Sequence, residues 1–119
     1  MTRITATDTT TPVLVVDRIE IALTADDQIV TTIGRGHIAL SSDDAVAANR
    51  TFLLANGVTG QRLILEWVGT NAGELIGDSA IPGVSGPVRL SATWTPAQFE
   101  SLSLVFNGAS WIETGRVIM

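Results

Sequence analysis

The chain contains no cysteine, which excludes disulfide frameworks, thiolate metal sites and cysteine nucleophiles together. It contains no lysine either, and its seven basic residues are arginines scattered from Arg3 to Arg116. Neutralising phosphates takes clustered cations, so this scatter and a net charge of −5 argue against nucleic acid and against an anionic membrane surface. No stretch approaches the roughly 18 apolar residues of a membrane helix. The Thr-rich start lacks the apolar run of a signal peptide, so the expectation is a protein made and folded in a cytosol. Charge of either sign is scarce.

Charged residues make up 16% of the chain, apolar residues 45%, and the mean hydropathy is +0.35. Ordinary domains carry about 25% charged residues, so part of the apolar surface is expected to be covered by another chain. At 119 residues the sequence suffices for one domain with a core of its own.

Residues 1–12 read as an extended N-terminal arm and 13–119 as a single domain. Runs rich in β-branched residues follow the arm: Val13–Asp17, Ile19–Leu23, Ile29–Ile33 and His37–Leu40, with Asp26-Asp27 and Gly34-Arg35-Gly36 marking breaks. Ser42–Asn49 is the one helix-like piece, with Ser42 as a cap and two aspartates at the positive end. Arg50–Ala55 and Gln61–Val68 read as strands. In the second, Leu63, Leu65 and Trp67 share one face. A glycine- and proline-rich excursion over 69–87 carries a short strand at Glu74–Ile76, and Val88–Thr95 alternates again up to Pro96.

Phe99–Phe106 and Trp111–Ile118 flank Asn107-Gly108-Ala109-Ser110 as a β-hairpin. A four-residue loop sets Phe106 opposite Trp111; a tight turn at Asn107-Gly108 would set Leu104 there. Both registers keep Leu102, Leu104, Phe106 and Trp111 on one face. Short strands at regular spacing, with no helical crossover and no long repeat, predict an all-β, antiparallel, jelly-roll-like β-sandwich.

Catalytic patterns are sparse. His37 stands alone between Gly36 and Ile38, without a nucleophile and an acid placed to work with it. Gly77-Asp78-Ser79 is a three-residue fragment of a serine-hydrolase motif, and no histidine follows it. Gly83-Val84-Ser85-Gly86 lacks the nucleophile-elbow spacing. Asp26-Asp27 and Asp43-Asp44 belong to no calcium-loop pattern. Asn49-Arg50-Thr51 matches a glycosylation sequon without a secretion signal. No catalytic residue, cofactor site or metal site is assigned. Trp67, Trp94 and Trp111 sit in or beside strands and read as core, with Trp111 the one expected to be partly exposed.

The ending Leu102-Ser103-Leu104-Val105-Phe106-Asn107-Gly108-Ala109-Ser110-Trp111-Ile112-Glu113, with Gly57-Val58-Thr59-Gly60-Gln61-Arg62-Leu63-Ile64-Leu65 upstream, resembles β-domains of tailed-bacteriophage virion structural proteins over residues 52–118. The resemblance implies a virion protein assembled in the host cytoplasm, usually a homotrimer. Its first implication is a capsid decoration (cement) protein on the capsid surface, with the major capsid protein as partner. A receptor-binding head of a tail fibre or spike, recognising a cell-surface glycan, is the alternative. Candidate partner or oligomer contacts are Arg3 and Ile4 in the arm, and Trp111 and Arg116 in the last strand.

Overall fold

The computed structural model describes residues 18–43, 50–77, 81 and 83–119. The arm with Arg3 and Ile4, the strand expected at Val13–Asp17, residues 44–49 of the expected helix, and Asp78 and Ser79 lie outside the described residues. Within them the strands are Arg18–Leu23 (β1), Gln28–Val30 (β2), His37–Ser42 (β3), Arg50–Leu54 (β4), Arg62–Trp67 (β5), Gly73–Leu75 (β6), Val88–Arg89 (β7), Ser101–Phe106 (β8) and Trp111–Val117 (β9). Alternation places them: Leu63, Leu65 and Trp67 of β5 are buried, while Arg62 and Ile64 face solvent. Ser42, the expected cap, is the last residue of β3.

Strand pairing overturns the sandwich. β1, β3 and β5 run parallel, side by side, in one sheet. β2, β4 and β6 run parallel in a second, three-stranded sheet. The chain therefore crosses from one sheet to the other and back once per turn, the path of a β-solenoid. β8 then runs antiparallel to β5, β9 antiparallel to β8, and β7 parallel to β9, so a hairpin layer closes a four-turn stack. The fold is all-β, as expected, but it is neither antiparallel throughout nor a jelly roll. The reason is physical: a solenoid also buries one face of each strand and wets the other, so alternation alone does not give a neighbour's direction. The capsid-decoration reading, which pictured a jelly-roll trimer on a phage shell, is corrected with the sandwich.

Parallel pairing stacks like on like across the layers. Ile19, Ile38, Leu65 and Leu102 form one inward ladder, and Ile21, Leu40 and Trp67 a second. Phe52 of β4 and Leu75 of β6 form a third on the smaller sheet. The two sheets meet where Phe52 stacks on Trp67, ring centres 6.5 Å apart. Phe106 meets Trp111 edge-on at 5.1 Å. Side chains buried this fully contribute about 1.5–3 kcal/mol each.

Hydrogen bonds between successive turns fix the corners. Gln61 Nε2 donates to the Thr32 and Arg35 carbonyls at 2.6 and 2.8 Å, and its Oε1 accepts from Val58 N at 2.9 Å. One amide thus ties the β2–β3 corner to the β4–β5 corner. Thr32 Oγ1 donates to the Ala55 carbonyl at 3.0 Å, and Asn56 Oδ1 accepts from Gly86 N at 2.7 Å, extending the tie by another layer. On the other side Asn71 Nδ2 donates to the Ser42 carbonyl at 2.9 Å.

The closing hairpin takes the four-residue loop, with Phe106 opposite Trp111. Asn107 N donates to the Ser110 carbonyl, and Asn107 Oδ1 accepts from Ala109 N and Ser110 N. Gly108, at φ 101°, supplies the left-handed residue. The strand expected over Val88–Thr95 ends at Arg89.

Candidate functional site

The six-stranded sheet turns a broad face to solvent. The register sets its outward residues in rows across the strands. Arg62, Val105, Ile112 and Arg89 form one row, and Arg18, His37, Ile64, Ser103 and Gly115 the next. Glu20, Ala39, Glu66, Ser101 and Val117 form the third, in which Ala39 is covered by its neighbours. Neighbouring strands stand about 4.8 Å apart, so the face is a regular grid. Its β1–β5 side is charged. His37 Nε2 lies 3.0 Å from Glu66 Oε1, Arg18 Nε donates to the same oxygen at 3.4 Å, and Arg18 Nη1 donates to Glu20 Oε2 at 2.9 Å. These side chains remain partly exposed, so solvent screens the pairs and they add little to stability.

At the far margin the sequence makes a recess. Residues three apart on a regular strand point to opposite faces, so Glu113 and Arg116 should not meet. A bulge corrects this: Leu104 pairs with Glu113 but Ser103 with Gly115, leaving Thr114 as the extra residue. Both side chains then reach the same side. Arg116 Nε donates to Glu113 Oε2 at 2.7 Å, and Arg116 Nη2 to Glu113 Oε1 at 2.9 Å and to the Ala92 carbonyl at 2.8 Å. Glu113 Oε1 also accepts from Ser91 N at 2.8 Å and Ser91 Oγ at 3.0 Å. The Arg116 guanidinium, with these two donors from Ser91, holds the Glu113 carboxyl down at about 2 against partial burial. Because β7 stops after two residues, the β9 edge beyond it is open. Arg89, Leu90, Ser91, Glu113, Thr114 and Gly115 line the resulting recess of about 440 Å³.

Of the residues picked from sequence, Arg116 is half of this ion pair. Trp111 is not partly exposed: it is fully buried, and its indole N–H donates to the Ala55 carbonyl at 2.9 Å. Trp67 and Trp94 are buried as expected. The aromatic side chain that does face solvent is Phe99, held at φ 72° while its N–H donates to the Trp67 carbonyl. The recess went unforeseen because Arg89 and Ser91 come from one segment and Thr114 from another, and nothing local marks the bulge. His37 is paired with a carboxylate rather than with a hydroxyl. Among the described residues no group of three or more His, Asp or Glu side chains is placed to hold a metal ion.

The recess can act by hydrogen bonding. It presents the Thr114 hydroxyl and the Arg89 side chain above a Glu113 carboxylate that is nearly buried and already bonded to Arg116 and Ser91. No family model matches the chain, and no curated protein or solved structure matches it significantly.

Proposed function

We propose that this chain is a recognition module of the fibre or spike type, binding a cell-surface glycan at the β7–β9 margin of its larger sheet. The observation that carries the reading is the polar, open recess of about 440 Å³ lined by Arg89, Ser91, Glu113 and Thr114. Its size suits one or two sugar rings, in the range of ordinary small-ligand sites of about 300–1,000 Å³. Beside Leu90 and Gly115 its lining supplies hydroxyls, a carboxylate and a guanidinium, groups that can bond a hydrated polyol while Leu90 packs against a ring face. The Glu113–Arg116 pair fixes the carboxylate before any ligand arrives, lowering the ordering cost of binding. Arg89 and Gly115 of the lining also begin outward rows that run on across the sheet, which would let a longer glycan continue over that face. The hairpin's resemblance to phage fibre and spike β-domains points the same way.

A glycan array followed by titration calorimetry on the best ligand tests the proposal. Thr114→Ala and Arg89→Ala should each weaken binding by about fivefold or more, with melting temperatures close to that of the parent. An array with no ligand retained, or affinity indifferent to both substitutions, would sink it.

A further inference from the structure

The two ends of the solenoid are built differently. At the hairpin end the edges are blunted: β7 has two residues, and β6 is bridged by Trp94, whose carbonyl accepts from Leu75 N at 3.1 Å. At the other end β1 offers a six-residue edge strand with no partner on its outer side among the described residues. It carries no proline and no bulge, and its two charged side chains, Arg18 and Glu20, lie on the solvent face and pair with each other at 2.9 Å. The inward ladder is also unfinished there. Ile19 and Ile21 are half-buried, whereas Ile38, Leu40, Leu65 and Trp67, stacked on them in the next layers, are sealed.

One hydrogen bond identifies the free backbone groups. Asp43 N donates to the Leu23 carbonyl at 3.1 Å, so Leu23, Ile21 and Ile19 turn their amides and carbonyls toward β3. Arg18, Glu20 and Ala22 then present theirs at the open edge, since successive residues of a strand alternate. An antiparallel copy of β1 fits this edge in a register centred on Ile21. Ile21 faces its own copy, Ile19 faces Leu23, and Glu20 exchanges backbone hydrogen bonds with Ala22. Apolar residues meet on the inner face, and the two copies of Glu20 are kept apart.

From this we infer that two copies of the chain join head to head through β1, making one continuous sheet across a twofold axis. This contact is independent of the glycan reading, because it lies at the opposite edge of the sheet from the recess.

Sedimentation velocity on the full chain, with amide exchange on the same samples, tests the inference. The expected result is a dimer whose Glu20 and Ala22 amides gain protection as concentration rises. Ala22→Pro removes an edge N–H without touching the β1–β3 bonds. It should weaken the dimer by about tenfold or more while the circular dichroism stays that of the parent. If that variant fails to fold, the concentration dependence of the two amides in the parent chain still decides. A monomer at every concentration overturns the inference, as does a dimer indifferent to Ala22→Pro. So does a monomer with both amides protected, which would assign the edge to residues 1–17 of the same chain.

Discussion

Gly73 lies against the indole ring of Trp67, in the space that any side chain at that position would need. The contact joins the first residue of β6 to the last residue of β5, across the corner where the chain passes between sheets. Trp67 is anchored from elsewhere as well: its indole Nε1–H donates to the Asn71 carbonyl at 3.0 Å, and its ring stacks on Phe52. The ring has nowhere to retreat. Gly73→Ala should therefore cost about 2 kcal/mol or more, as overpacking of a rigid site does. Gly115→Ala, where an added methyl meets nothing within 4 Å, should change stability by less than about 0.5 kcal/mol. Urea unfolding of the two variants beside the parent checks the contrast.

The Glu113–Arg116 pair predicts an acid-dependent loss of stability. Its carboxyl stands at about 2 in the fold, against an ordinary value of 4.5. A value depressed by folding stabilises the protein fully above the unfolded value, and the contribution disappears as pH falls through the folded one. The difference corresponds to an upper bound of about 3 kcal/mol. Glu113→Gln should thus be less stable than the parent at pH 7. The two stability curves should converge between pH values of about 4.5 and 2. Thermal melts across that range give the answer, and parallel curves would show that the pair contributes nothing.

Gln61 is the third case. Its amide donates to two carbonyls of the preceding corner while its oxygen accepts from Val58 N. Gln61→Glu keeps the shape and the acceptor but sets a carboxylate oxygen against the Thr32 and Arg35 carbonyls. The expected cost is about 2 kcal/mol, from lost donors and like-pole repulsion. Faster exchange of the Val58 and Arg35 amides would locate the loosening at these corners, and an unchanged melting temperature would count against the tie.

The strands themselves were legible in the sequence. The nine described ones fall within, or overlap, runs that alternate between turn signals, and β5 and β8 bury the faces their patterns indicate. Architecture was not legible, for two reasons. The successive turns differ in length: His37 pairs with Arg18, 19 residues earlier, and Ile64 with His37, 27 residues earlier, so no fixed period announces a repeat. The return strands β2 and β6 have three residues each, too few to show that the chain crosses between sheets without helices. Trp111 was misjudged as partly exposed because its position after a loop hides its partner. The Ala55 carbonyl that takes its N–H lies 56 residues away. The candidate site was the least visible part. Thr114 is displaced by a bulge that depends on where Ser103 and Leu104 sit on the neighbouring strand.

The unequal turns have a consequence for how such a molecule varies. Each layer finds its register on the one beneath, through inward ladders and corner hydrogen bonds, not through a shared repeat length. A corner can therefore lengthen or shorten without forcing every later layer to shift. Lengthening a loop costs little by itself, about 0.6 kcal/mol per doubling of its length, so the inward ladders and not the loops decide where each layer sits.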